Sequence, residues 1–321
     1  MSRRSVVSVG IAAALAAVLL YYSLKGIEWR RVGQIVMGAA PGFLALASAI
    51  ATATLFLRAY RWRVLLNAEG TVDTPTAFWA TAAGYFGNNF LPARGGELVR
   101  TLMISSRSSL ETPYVLATAL SERVADAIAL VVVSAAVLLV LPAQTGWLAG
   151  AARPFAILGL LGALAIAVLP LLGSVGRSAI ERLPMPPALR PRLIIAMEDA
   201  LRGMRAFHDA RRLSGFLGLT ALIWAMDACA TVIGGAALGL RIPLPVAFLL
   251  MAGLGLGSAL PSTPGYVGIY QFVAVAVLTP FGFSRTDAVA YILVAQVLGF
   301  VVIGFWGSLG LMRYRRGRRS T

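Results

Sequence analysis

Residues 112–141 read TPYVLATALSERVADAIALVVVSAAVLLVL, apolar throughout except for Glu122, Arg123 and Asp126 in the first half. At 1.5 Å of rise per residue, a helix this long reaches about 45 Å, more than a bilayer's hydrocarbon core of about 30 Å. The stretch predicts one long membrane helix. Its three charges each cost roughly 2.5–3.5 kcal/mol near a helix centre in lipid, so they need partners from elsewhere in the chain.

The rest of the sequence agrees with this reading. Of 321 residues, 59% are hydrophobic and 13% charged, with a mean hydropathy of +0.81. A soluble domain carries about 25% charged residues, so this chain cannot clothe a water-facing surface. The fold class expected is all-α: a polytopic integral membrane helix bundle. A single cysteine, Cys229, excludes intramolecular disulfides, and with one histidine, His208, no Zn or Fe–S site is expected, although thirteen carboxylates still permit a small cation site; no cofactor is expected. The net charge of +15 would suit nucleic acid, but the arginines sit in short segments between apolar runs, so no nucleic-acid partner is expected.

Six runs predict full spans, at 5–24, 41–57, 112–141, 153–172, 214–238 and 286–312. Residues 26–40 form a short amphipathic piece suited to an interface. Arg58, Arg61, Trp62 and Arg63 suit a cytoplasmic interface, where cations snorkel and aromatic rings settle. The polar island 173–213 holds an amphipathic pattern, with Leu193, Met197, Ala200, Leu201 and Met204 opposite Arg192, Arg202 and Arg205. It reads equally as a helix on the cytoplasmic leaflet or as one packed on the bundle ends. Nineteen basic residues fall on the proposed inside, which includes the basic tail 313–321, and six on the outside. Both termini are therefore expected in the cytoplasm.

Two segments are too short to be ordinary spans. Residues 76–91 run into Pro92-Ala-Arg-Gly-Gly-Glu-Leu-Val-Arg100, and residues 246–260 run into Pro261-Ser-Thr-Pro-Gly265. Broken pieces of this kind predict two re-entrant hairpins, or eight to ten spans if the hairpins cross. Their opposite orientation points to an inverted repeat.

The intramembrane charges are Arg94, Glu97, Arg100, Glu122, Arg123, Asp126 and Asp227. Glu97 and Arg100 share a helix face, as do Glu122 and Asp126, and the latter two need a cation to ionise side by side. Arg94 or Arg100 is the expected source. Gly95 and Gly96 allow close backbone approach, and the amides opening the next helix would face an anion, so Arg94, Gly96 and Arg100 outline a phosphate cradle. Asn88 and Asn89 could bond a head group or cap the break. Ser262, Thr263 and Gly265 would expose hydroxyl and backbone groups at the second break. Asp227 has no partner nearby in sequence. Gly253, Gly255 and Gly257 suit helix packing better than a dinucleotide loop, since no βαβ unit surrounds them. No HExxH or GxSxG motif occurs, and His208 lies in the polar island, so a hydrolytic enzyme is not expected.

RAYRWRVLL (58–66), GNNFLPARGGELVR (87–100), SERVAD (121–126) and SALPSTPGYVGIYQ (258–271) together resemble the lysylphosphatidylglycerol synthase transmembrane, or flippase-like, family. The resemblance covers nearly the whole chain and implies one flippase-like transmembrane domain over residues 1–321, in a bacterial inner membrane. It places the family's N…PxRxGE…R motif on Asn89, Pro92, Arg94, Gly96, Glu97 and Arg100. ERxxD falls on Glu122, Arg123 and Asp126, and PGxxG on Pro264, Gly265 and Gly268. In the best-understood members this region is fused to a soluble aminoacyl-transfer domain, and the membrane region moves the lysinylated lipid across the bilayer. Here the chain stops nine residues after Met312, so lysyl transfer by this chain alone is not expected. The function expected is movement of an anionic phospholipid or a polyprenyl-phosphate-linked lipid between leaflets. The alternatives are a membrane component of a head-group transferase, which needs a separate transferase partner, and a non-transporting envelope scaffold.

Overall fold

The computed structural model describes residue 14, residues 16–90, 95–140, 173–182, 189–258 and 263–318, and single positions between 154 and 186. The described residues form helices and connecting turns. In chain order the helices are α1 (16–24), α2 (Trp29–Met37), α3 (Pro41–Leu66), α4 (Thr74–Phe90), α5 (Gly96–Ser105) and α6 (Thr112–Val140). They continue with α7 (Gly173–Arg182), α8 (Arg190–Arg205), α9 (Ala210–Ala237), α10 (Leu244–Gly257), α11 (Ile269–Leu278) and α12 (Arg285–Arg318). Most of the expected span over 153–172 lies outside the described residues.

Local chemistry sets several boundaries. Pro41 opens α3, where its missing N–H costs nothing. Asn67 ends that helix, and its side chain accepts from the Val72 N–H at 2.8 Å, closing the turn toward α4. Asp209 caps α9 by accepting from the Arg212 N–H at 2.9 Å, and that bond holds its carboxyl below the usual value. Ser284 and Asp287 cap α12 reciprocally, each accepting from the other's backbone N–H at 3.1 and 3.2 Å.

Among the described residues, α3, α9 and the Arg285–Arg315 part of α12 are long and apolar enough to cross a membrane, while α10 and α11 are shorter apolar helices. Burial runs opposite to that of a soluble protein. Val301 and Phe305 on α12 are 62% and 58% exposed, whereas Arg61 and Arg100 are buried. An apolar exterior around charged residues is the arrangement lipid imposes, because hydrocarbon accepts leucine and phenylalanine but offers nothing to a guanidinium. The molecule is an all-α membrane helix bundle.

Two apolar cores hold it together. One joins α9, α10, α11 and α12 through Ala228, Leu250, Ala274, Leu278, Ala288 and Ile292. The other joins α3, α4, α5 and α6 through Trp62, Leu66, Ala80, Ala83, Ile104, Tyr114 and Val115. Small residues set the helix spacing. On α10, Gly253 and Gly257 face Val273 and Ile269 of α11, and Gly255 faces Leu130 of α6. These glycines are therefore packing positions, as expected. On α12, Gly307 and Gly310 lie against Phe86 and the Trp79 carbonyl of α4, with no room for a Cβ.

Helix α8 packs along α6: a Cβ on Gly203 would come within 3.0 Å of Ala117. Of the two readings of the polar island, this contact supplies the packing against the bundle. Arg202 at its side reaches Glu69 at 2.7 Å and Glu111 and Asp199 at 3.6 Å. Helix α12 continues to Arg318, so the described part of the basic tail is helical.

A buried arginine–carboxylate ladder as the candidate functional site

The second core encloses a chain of alternating charges. It begins at Asp126 on α6, whose two carboxylate oxygens accept from Arg61 Nη1 and Nη2 at 2.6 and 2.8 Å. Arg61 Nη2 also donates to Glu122 at 2.9 Å, and Nη1 to the Thr220 hydroxyl at 2.9 Å. Glu122 then accepts from Arg100 Nη1 at 2.9 Å with its other oxygen. Arg100 Nε donates to Glu97 at 2.6 Å, and Glu97 accepts in turn from Arg123 Nε at 2.9 Å and from Asn88 Nδ2 at 3.1 Å. Asp126, Arg61, Glu122, Arg100, Glu97 and Arg123 therefore form one continuous run across α3, α5 and α6.

Backbone geometry makes this run possible. Tyr114 bonds the Leu65 carbonyl, and the Trp62 indole N–H donates to Thr118, so α3 and α6 run antiparallel with Arg61 opposite Glu122 and Asp126. Helix α5 approaches α4 closely enough that a Cβ on Gly96 would stand 1.8 Å from the Gly84 carbonyl oxygen. A Cβ on Gly84 would meet the Arg100 side chain at 3.0 Å. The pair of glycines lets α5 carry Arg100 and Glu97 into the core. Aromatic faces complete the enclosure, with the Arg100 guanidinium 4.4 Å from the Trp62 ring centre and that of Arg61 4.8 Å from Phe216.

Exposure grades along the ladder. The Arg61 and Arg100 side chains are 0% and 1% exposed. At the far end Arg123 is 34% exposed, beside Tyr85, whose ring centre lies 5.1 Å away. A second, separate pair joins Arg58 of α3 to Asp227 of α9, each about one-fifth exposed. Four arginines and four carboxylates thus balance.

The expected site residues divide accordingly. Glu97, Arg100, Glu122, Arg123 and Asp126 meet in the ladder, while Gly96 is the close-approach position that admits them. Asp227 finds Arg58. Asn88, rather than the half-buried Asn89, bonds Glu97. Arg94 and Ser262 lie outside the described residues. The hydroxyl of Thr263 donates to the Val267 carbonyl at 2.9 Å, and the Gly265 carbonyl accepts from Gln296 at 2.9 Å. Gln296 accepts from Gln271, which accepts from the Gly268 N–H, so the second break is tied to α12.

Within residues 58–63, Arg61 and Trp62 do not snorkel as expected: both are completely buried, and Arg61 is the cation that holds Asp126. An available signal was the i, i+3 spacing of Arg58 and Arg61, which puts two cations on one face of a helix that is apolar up to that point.

An all-α bundle with charges sealed inside and apolar side chains outside defines a multi-pass membrane protein. The sequence profile of the family described as lysylphosphatidylglycerol synthase TM region matches residues 6–307, and the chain belongs to that family. Among curated proteins, the glycosyltransferase AglD of Haloferax volcanii is 27% identical over 337 aligned residues. The alignment takes in 92% of this chain and 52% of the relative, so the chain spans about half of that protein's length. No solved structure matches the chain.

Proposed function

We propose that this chain moves an anionic phospholipid or a polyprenyl-phosphate-linked lipid between membrane leaflets, with the head group entering at the open end of the ladder. The observation that carries this reading is the pairing of Glu97 with both Arg123 and Arg100. A lipid phosphate can take the place of Glu97 on the partly exposed Arg123. The released carboxylate keeps its bonds to Arg100 and Asn88, so no buried charge is orphaned at any stage. Arg100 donates to Glu97, Glu122 and the Ala119 carbonyl. It braces the site, and Arg123 together with Arg94 receives the phosphate. The two interrupted segments, α4–α5 and α10–α11, would enter the bilayer as re-entrant hairpins of an inverted repeat and flank the path, with both termini in the cytoplasm.

The test is leaflet-resolved transport in liposomes containing the purified protein, a panel of fluorescent anionic lipids and a polyprenyl phosphate. Selective movement that Arg123→Gln abolishes supports the reading. Unchanged movement in that variant, or no movement by folded protein, defeats it.

The relative's designation as a glycosyltransferase favours a second reading, in which the chain is the membrane component of a lipid head-group transferase. Transfer activity appearing only when a separate soluble transferase is added would select it.

A further inference from the structure

Helix α5 has two working faces. Glu97 and Arg100 turn into the ladder, while Val99, Leu102 and Met103, on the other side by the 3.6-residue repeat, border a cavity of about 500 Å³ between α5, α12 and the start of α6. That volume falls within the usual range for a small-molecule site, about 300–1,000 Å³. The lining is graded. On α5 the apolar residues come first and Ser105 and Ser106 follow, and on α12 Leu311 precedes Tyr314. Ser106 and Tyr314 share a hydroxyl–hydroxyl bond of 3.1 Å, which sets the two helices' polar ends at one level, and Thr112 joins them there. Leu102 is 55% exposed, so the apolar end opens sideways toward the hydrocarbon.

A cation stands at the hydroxyl end. The Arg107 guanidinium lies 5.1 Å from the ring centre of Tyr314, and its Nη2 donates to the Tyr314 and Arg313 carbonyls at 3.2 and 3.4 Å. Among the described residues Arg107 has no carboxylate partner and bonds through Nη2 alone, which leaves Nε and Nη1 as donors for an anion. No acid lines the cavity, and Glu111 nearby in sequence is engaged by Arg202 at 3.6 Å. Arg313 lies over the Trp79 ring at 5.1 Å, a pairing suited to the membrane–water interface. From the inside outward the order is apolar wall, hydroxyls, cation, and a phospholipid presents acyl chain, glycerol esters and phosphate in the same order. We infer that this cavity seats one anionic phospholipid of the surrounding bilayer, its chain between α5 and α12 and its phosphate on Arg107, at a site separate from the ladder. Free phosphate would make no use of the apolar wall. A phosphatidylcholine head group brings its own ammonium, which Arg107 and the exposed Arg313 and Arg315 repel.

The experiment counts bound lipids on the detergent-purified full chain by native mass spectrometry, titrating phosphatidylglycerol or phosphatidylcholine with identical acyl chains. It is run in an Arg123→Gln background, so that lipid held at the ladder is not scored and the result stands apart from the transport reading. One phosphatidylglycerol is expected to bind at least fivefold tighter than phosphatidylcholine. Adding Arg107→Gln should bring that ratio to about one. Leu311→Trp, which fills the apolar end, should weaken both lipids at least fivefold. Arg107 is exposed, so its variant decides the matter even where Leu311→Trp fails to fold. Equal affinities before Arg107 is changed, a ratio that survives Arg107→Gln, or unaltered binding in folded Leu311→Trp would each overturn the inference. Displacement of phosphatidylglycerol by millimolar inorganic phosphate would also overturn it, by making this a site for a free anion.

Discussion

Arg61 holds Asp126 through a two-pronged contact, Nη1 to one carboxylate oxygen at 2.6 Å and Nη2 to the other at 2.8 Å, with the guanidinium fully shielded from solvent. Parallel donation of this kind is the strongest pairing a carboxylate finds in a protein. It fastens α3 to α6, and the shared Glu122 extends the fastening to α5. The cost of bringing such charges out of water is recovered only while every partner is in place.

Removing one member should therefore hurt more than removing several. Arg61→Ala leaves Glu122 and Asp126 side by side without their shared cation, at a cost on the order of 3–5 kcal/mol. The variant Arg61→Met/Glu122→Gln/Asp126→Asn should recover part of that loss. Thermal unfolding in detergent measures both, and an Arg61→Ala protein as stable as the unaltered chain would contradict the locking role.

Arg100 and Arg123 should respond differently to the same substitution. Arg100 is enclosed and has three acceptors, so Arg100→Gln is expected to lower the unfolding temperature. Arg123 is partly exposed, with its carboxylate contact to Glu97 alone. Arg123→Gln should unfold near the normal temperature while lowering anionic-lipid transport at least tenfold. Parallel unfolding and transport measurements on the two variants separate bracing from binding.

Glycine substitutions test the close approach of α4 and α5. Gly96→Ala places a Cβ 1.8 Å from the Gly84 carbonyl oxygen and should sharply reduce the yield of folded protein. Gly299→Ala on α12 meets no atom within 4 Å and should leave the yield unchanged. Size-exclusion profiles of the two variants are the readout.

The second break depends on a pair of glutamines. Gln296→Leu strips the Gly265 carbonyl of its donor and Gln271 of its acceptor, at about 1–3 kcal/mol for each group left unsatisfied. Hydrogen exchange at residues 263–268 should speed up, with the amides of α6 unaffected. Equal protection in both proteins would remove the glutamines from this role.

On the surface the same chemistry is worth little. Arg202 contacts three carboxylates but is 38% exposed, so solvent and salt screen it, and Arg202→Ala should cost under about 1 kcal/mol. Unfolding at low and high salt should show that small difference shrinking. A loss as large as that of Arg61→Ala would mean α8 is fastened to the bundle by charge.

Much of this was legible in the chain. The run 112–141 and the low charge content imply a membrane bundle, because hydrocarbon admits no other surroundings for them. Of the two arginines expected to serve Glu122 and Asp126, Arg100 reaches Glu122 and Arg94 lies outside the described residues, while the cation shared by both carboxylates is Arg61. Asp227 declared itself as a charge in need of a partner, without naming one.

The sequence by itself determined the class of fold and the identity of most charges in the site, since both follow from composition and from the cost of charge in an apolar helix. Only the tertiary structure decided that Arg58 and Arg61 belong among them. An arginine near a helix end has the same local sequence whether it snorkels to an interface or turns inward. The choice rests on the antiparallel register of α3 and α6, which sets Arg61 against carboxylates 61 and 65 residues further along the chain. That register is fixed by the Trp62–Thr118 and Tyr114–Leu65 bonds, packing contacts that no local pattern encodes.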